Sequence, residues 1–346
     1  MVYNASLSLF NLLLYVDSID MVRSLSFLVA AGAGAVGIAV MLKWRSQGKR
    51  PAIVITELWC YPVKSCGGYS LKTATLQDGG FEYDRTWAVF RREDKAVLSQ
   101  REFPKMKHIT AAIRTTGGCV VLELSHPDHG SVQITATSTP NPDAFAFQLW
   151  GINGKAKEEP EGTRWIQTCL GSDEVLLGKL CTPRHPVESA EDSVVAKESD
   201  RCNLQDFSSL HIITEESLAQ LKHEIGDDTL TVARFRPNIV VKGVPAAEEN
   251  EWKRLRVGGG NILRVAKLCG RCSIPTIDES LKRSPEFLPT SHLRKTRSVR
   301  QTHREKEDEQ GPEPIFGLNV FSEMTPATLA VGDSVEVLES SLVRYE

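Results

Sequence analysis

The sequence predicts a mainly β protein with some helix, an α+β chain, standing behind one membrane-spanning helix. Three observations carry this expectation. After residue 50 the chain breaks into short apolar and β-branched runs, separated by Gly, Asp and Pro turns. One later stretch has clear helix-start chemistry, a Thr followed by two Glu. Near the N-terminus, nineteen consecutive residues carry no charge.

That uncharged run is "SLSFLVAAGAGAVGIAVML", Ser24 to Leu42. As a helix it would be roughly 28 Å long, enough to cross a hydrocarbon core. Arg23 precedes it; Lys43, Arg45, Lys49 and Arg50 follow. The heavier positive flank places the main body in the cytosol. The organisation is then a tail (1–23), a signal anchor (24–42) and a linker (43–51). A cleaved signal peptide is the rival, disfavoured because the apolar run continues to a basic stop. Within the run, "GAGAVG" fits the dinucleotide fingerprint G-x-G-x-x-G. The helix that should follow is apolar and then wholly basic, so helix packing in a bilayer accounts for the small residues better.

The β-like runs follow in order: "AIVITELWCYPV" (52–63), "SLKTATL" (70–76), "TWAVFR" (86–91), "HITAAIRTT" (108–116) and "CVVLELS" (119–125). Such a series suits a barrel or sandwich. "GTRWIQTCLG" (162–171) reads as a short helix, and the polar "RHPVESAEDS" (184–193) as a surface connection between halves, 52–183 and 184–346. The second half opens with a strand through Ile213 and a helix capped near Thr214, with Glu215 and Glu216 in its first turn. "KRLRVGGGNILRVAKLC" reads as two β-runs about a Gly-rich turn; a strand follows "GGGN", so it is not a phosphate loop. "ATLAVGDSVEVL" (327–338) reads as a final hairpin turning at Gly332 and Asp333. Residues 282–309, rich in Arg and Lys, read as a solvated loop or a docking surface for an acidic partner.

A net charge of -3 argues against a dedicated nucleic-acid binder. Eight cysteines are too few for a disulfide framework in 346 residues, so reduced thiols are expected. Cys119, Cys169, Cys181 and Cys202 read as ordinary buried thiols, and Cys60 and Cys66 as packing residues.

"KLCGRCSIPT" (267–276) is the chemical puzzle. Structural zinc wants four ligands, usually as two close pairs, and Cys269 and Cys272 have no second C-x-x-C in the chain. A redox pair sits at a helix N-terminus, whereas Pro275 follows here without a helical pattern. Both stay open as alternatives; the pair lies at the end of a β-run beside the Arg271 cation, which favours a thiolate, a soft ligand suited to a transition metal held mainly by a cofactor.

With "CGRC" stand "YPVKSC" (61–66), "DRTW" (84–87), "FRPNIVV" (235–241), "PIFGLNV" and "VGDSVEVL". "YPVKSC", "DRTW", "FRPNIVV" and "CGRC", in that order along the chain, resemble the MOSC-domain proteins, and more closely the mitochondrial amidoxime-reducing component family, from about Leu58 to Leu338, with the two terminal motifs agreeing in position. The resemblance implies a β-rich MOSC N-terminal domain followed by a MOSC β-barrel. It implies a molybdenum-molybdopterin cofactor, with Cys272 ligating molybdenum. Lys64, Ser65, Arg85, Thr214, Glu215, Glu216, Arg236, Asn238, Gly270, Arg271 and Asn319 match cofactor-binding positions, and Arg271 tunes the catalytic Cys272. Two positions depart from the family pattern: Gly270 stands where relatives often carry serine, and Asn319 where an aromatic is common. The resemblance further implies reduction of small N-hydroxylated compounds (amidoximes, hydroxylamines, N-oxides) at the outer mitochondrial membrane, facing the cytosol. Endoplasmic reticulum is the alternative location. The chain shows no haem motif and no flavin or nicotinamide fold, so electrons must arrive from other proteins. In the family these are NADH-cytochrome b5 reductase and cytochrome b5. A molybdenum-cofactor carrier or sulfuration module is the alternative function.

Overall fold

The computed structural model describes residues 51–136, 143–188, 195–299 and 313–340. The expected tail, anchor and linker up to residue 50 lie outside the described residues. Among the described residues no helix is long and apolar enough to cross a membrane.

Seven strands close into a barrel: Leu210–Thr214, Ile239–Lys242, Ile53–Cys60, Ser334–Ser340, Trp252–Val257, Asn261–Gly270 and Glu313–Ser322. The circuit closes where Leu210, His211 and Ile212 pair with Val320, Asn319 and Leu318. All neighbours are antiparallel except Leu210–Thr214 and Ile239–Lys242, which run parallel. Period-two alternation points one face inward; Ile55, Leu58, Ile212, Leu255, Leu263, Leu318 and Val320 fill that core. Gly317 lets the closing strands approach: at φ +82°, a Cβ there would lie 2.5 Å from the Ile212 carbonyl oxygen.

The N-terminal half adds an antiparallel sheet of Trp87–Arg91, Val175–Leu180, Ile152–Glu158 and Phe145–Leu149, and another of Thr110–Thr116, Cys119–His126 and Gly130–Thr135. The helix Pro160–Leu170 packs Ile166, Cys169 and Leu170 into the core beneath them. It ends at Gly171, whose φ of 70° makes the left-handed cap. The chain is thus mainly β with few helices and contains a β-barrel, as expected.

The strand Ile53–Cys60, on the N-terminal side of residue 183, is an integral stave of the barrel. Residues from Ala52 onward form one compact unit. The expected final hairpin does not pair with itself, since Ala327–Ala330 joins Thr73–Gln77 while Ser334–Ser340 joins the barrel. Local turn chemistry signals a reversal and cannot say which neighbour each strand finds. Cys119 and Cys181 are exposed rather than buried. All eight cysteines are free, and Gly258–Gly260 turns a hairpin between Trp252–Val257 and Asn261–Gly270, as expected. Of the expected surface connection 184–193, Arg184 is 2% exposed and residues 189–193 lie outside the described residues, as do residues 300–309 of the basic run.

Candidate functional site

Strand ends gather the site. The C-terminal end of Ile53–Cys60 lies beside the N-terminal ends of Ile239–Lys242 and Leu210–Thr214, and the C-terminal end of Asn261–Gly270 pairs with the N-terminal end of Glu313–Ser322. The segments feeding these ends line a cleft of about 1270 Å³. Nine of its lining side chains are Lys or Arg, against three carboxylates. This local excess of positive charge sits in a chain of net charge -3, so the cleft is built for an anionic occupant.

Its floor is a stack of cations on an aromatic ring. Tyr61 is 1% exposed, and the guanidinium groups of Arg236 and Arg85 lie 4.3 and 4.5 Å from its ring centroid. Arg85 donates through Nη1 to Asp84 at 2.6 Å and through Nη2 to the Arg236 carbonyl at 2.8 Å. Arg236 donates through Nη1 to the Cys66 carbonyl. Burial and the neighbouring Arg85 lower the Arg236 pKa to about 10, which leaves it charged at neutral pH. Lys64 pairs with Asp206 at 2.5 Å, and Asp206 also accepts from the Trp150 indole at 2.9 Å. Burial draws the Lys64 pKa down, while Asp206 works against it.

The backbone is strained at the same place. Ser65, Arg85, Trp150, Arg236 and Phe287 all line the cleft and have φ between 47° and 67°. Non-glycine residues avoid this region, and such outliers concentrate at ligand sites because surrounding contacts must hold them there.

The two cysteines have different surroundings. Burial pushes the Cys269 thiol up, only partly offset by Arg271, whose Nη1 donates to its sulfur at 3.2 Å. Cys272 is exposed and lines the cleft; Thr290 holds its carbonyl at 3.1 Å. Among the described residues no group of three or more His, Cys, Asp and Glu is placed to hold a metal ion. A metal bound at Cys272 therefore needs most of its ligands from a cofactor. The residues present fit such a group: Arg236 Nη2 and Arg271 Nε are buried donors with no hydrogen-bond partner among the described residues, and an anionic, acceptor-rich ligand would satisfy them.

The structure brings together Lys64, Ser65, Arg85, Arg236, Asn238, Gly270, Arg271, Cys272 and Asn319 on the cleft wall. Asn238 is positioned differently from the cations. Its Oδ1 accepts from the His211 backbone and its Nδ2 donates to the Trp59 carbonyl, so it ties strand ends together. At Gly270 a Cβ would lie 1.8 Å from Glu313 Oε1; that carboxylate occupies the room a serine would need. Asn319 bridges Ser208 and the Leu268 carbonyl across the closing strands.

Thr214, Glu215 and Glu216 are not brought to the cleft. The strand Leu210–Thr214 has Leu210 and His211 on the cleft wall, whereas Thr214 at its other end does not line the cleft. There Thr214 caps the helix Glu215–Ile225 by accepting from the Ser217 amide at 3.1 Å, and Glu216 accepts from the Gly243 amide at 2.8 Å. Sequence reasoning chose the end of this strand that carries helix signals; the residues feeding its other end, Asp206 and Ser208, line the cleft instead. Arg101, Trp150 and Lys267 were also missed. Arg101 and Trp150 come from segments distant in sequence from the motifs, and Lys267, inside the Asn261–Gly270 strand beside the cysteine pair, carries no pattern that marks it as a lining residue.

The chain matches the MOSC N-terminal beta barrel domain over residues 52–173 and the MOSC domain over residues 199–336. It belongs to the MOSC-domain proteins. Among curated proteins it is similar to mitochondrial amidoxime-reducing component 1 of Homo sapiens, at 28% identity over 90% of this chain and 91% of that protein. The Mus musculus counterpart is 26% identical over 89% of this chain and 91% of its own length. The molybdenum cofactor sulfurase of Arabidopsis thaliana is 26% identical over 71% of this chain but only 32% of the sulfurase. Among solved structures, the YUAD protein of Bacillus subtilis aligns over 83% of this chain and 96% of its own, at 13% identity and a TM-score of 0.38; that likeness is too slight to carry an argument.

Proposed function

We propose that this chain is a molybdenum-cofactor oxidoreductase that reduces small N-hydroxylated compounds. The observation that carries the reading is an exposed thiol, Cys272, on the wall of a strongly cationic cleft containing buried donors without partners. The similarity to the amidoxime-reducing components along most of the chain supports it. When bound, the cofactor would supply the two-electron redox chemistry; breaking one N–O bond takes up two electrons and two protons and releases water.

The chain's own residues bind and orient. Arg85 and Arg236, stacked on Tyr61 and held by backbone carbonyls, present fixed cations to the anionic parts of the cofactor. Lys64 adds a third cation once it shifts from Asp206. Cys272 offers its sulfur to the metal. Arg271, held by the Phe235 carbonyl at 3.1 Å, sets the charge beside that sulfur. Electrons come from NADH through cytochrome b5 reductase and cytochrome b5, and the site faces the cytosol at the outer mitochondrial membrane. The basic surface at Lys282, Arg283 and Lys295 would receive the acidic carrier; all three are exposed. Arg297, also in the basic run, is 6% exposed. It lies 5.7 Å from the Phe316 ring centroid and bonds Gln220, so it belongs to the fold and not to the landing surface.

The second reading, a cofactor carrier or sulfuration module, is motivated by the likeness to part of the sulfurase. Molybdenum and pterin analysis, paired with benzamidoxime turnover driven by NADH, cytochrome b5 and its reductase, separates the two. Wild type should contain metal and turn over. Cys272→Ala should lose turnover while melting within about 2 °C of wild type, because an exposed side chain contributes little to stability. Metal without turnover supports the carrier; a fully active Cys272→Ala sinks the oxidoreductase reading.

A further inference from the structure

Among the described residues, the exposed large hydrophobics are Trp150, Phe287, Met324 and Val331. Both aromatic ones line the cationic cleft, and the other two do not. Trp150 and Phe287 are each 51% exposed, whereas the other aromatic side chains lining the cleft, Phe207 and Phe235, are buried in the fold. A single exposed aromatic on a protein surface needs no explanation. Two on the rim of the candidate site, each on strained backbone, do.

The strain is specific. Trp150 has φ 54° and Phe287 has φ 56°, a region bulky side chains avoid. The Trp150 ring and the Phe287 backbone are then held in place. The Trp150 indole N–H donates to Asp206 at 2.9 Å, and the Arg101 guanidinium lies 5.5 Å from its ring. The Phe287 amide donates to the Ser284 carbonyl at 3.0 Å, and its own carbonyl accepts from the Ser291 amide at 2.9 Å. Neither arrangement buries the ring, so packing does not repay the strain. An aromatic ring on a held backbone, half exposed and lining a cleft, recovers its stacking energy only when a planar group arrives.

We propose that Trp150 and Phe287 form an aryl-binding rim that selects substrates carrying an aromatic ring. This rests on the N-hydroxy reduction reading and names its substrate class: aryl compounds ahead of small alkyl ones. The charged inner cleft holds the polar groups, and the rim holds the ring. Arg101 behind Trp150 strengthens the indole as a stacking face through its cation–π contact.

The test compares benzamidoxime with acetamidoxime, which share the reacting group and differ in the ring. In Trp150→Ala and Phe287→Ala the ratio of kcat/KM for the aryl over the alkyl compound should fall about threefold to tenfold, through KM, as loss of one aromatic contact implies. Trp150→Phe should keep most of the ratio. An equal loss on both compounds, or a change in ratio below about twofold, overturns the rim. A second readout needs no turnover. Benzamidine should quench tryptophan emission saturably in wild type, and that quench should vanish in Trp150→Phe. A quench unchanged in Trp150→Phe, or absent from wild type, also overturns it. If wild type turns over neither compound while the Trp150 quench persists, the N-hydroxy reading falls and the aryl site stands.

Discussion

Exchanging Tyr61 for phenylalanine and, separately, for leucine tests whether an aromatic face holds the cleft's two central cations. The ring is 1% exposed, with guanidinium groups at 4.3 and 4.5 Å. A desolvated contact of this kind is worth about 1–2 kcal/mol, so the pair contributes about 2–4. The hydroxyl contributes nothing comparable. Burial, opposed by Arg236 and Arg85, raises its pKa far above the ordinary phenol value and keeps it neutral. Its oxygen is buried without a hydrogen-bond partner among the described residues, a state that costs about 1–3 kcal/mol. Tyr61→Phe should therefore hold or raise stability by about 1 kcal/mol, a gain of about 2–4 °C in Tm. Tyr61→Leu loses both cation contacts and some packing, and should melt about 10 °C lower. Thermal melts of purified protein, with and without pyrophosphate as a probe anion, supply the readout. Pyrophosphate should protect wild type and Tyr61→Phe alike and protect Tyr61→Leu less, since the cations are no longer held. If Tyr61→Phe falls as far as Tyr61→Leu, the hydroxyl is doing the holding and the stacking argument is wrong.

Gly317→Ala should cost about 3–5 kcal/mol, because the new Cβ meets a backbone oxygen at 2.5 Å and φ is +82°; a melt within about 2 °C of wild type would refute this. His211 is held neutral, its pKa driven well below 6.5 by burial and by Arg271. The unfolded chain protonates first, so the His211 contribution is complete above pH 6.5 and is lost as pH falls through the folded pKa. Denaturant melts between pH 7 and 5 should show that slope, and His211→Gln should flatten it. Lys295→Glu and Lys282→Glu should slow reduction by cytochrome b5 several-fold at low salt and weaken its salt dependence, while Arg297→Glu should unfold the chain. Unchanged rates in the two lysine variants would dismiss the landing surface.

Much of the site was legible because its signals are local. "YPVKSC", "DRTW", "FRPN" and "CGRC" each put a cation or sulfur beside a turn, and each reaches the cleft. Thr214–Glu216 misled for the same reason. Their capping chemistry was read correctly, but a cap announces a helix start and says nothing of which segments line the cleft. Trp150, Arg101, Asp206 and Lys267 were invisible because their roles come from neighbours far along the chain: Trp150 bonds Asp206 across 56 residues.

The sequence by itself determined the mainly β class, the places of most strands it named, the reduced cysteines and the family. Alternation, turn residues and motif order are properties of neighbouring positions, and they survive without a structure. Only the tertiary structure decided that the N-terminal strand is a stave of the C-terminal barrel, that Cys272 is exposed on the cleft wall while Cys269 on the same wall is half-buried and bonded by Arg271, and that two guanidinium groups share one tyrosine ring. These depend on which strand edges pair and on what each side chain loses to burial, and both are set by contacts between segments the sequence keeps apart.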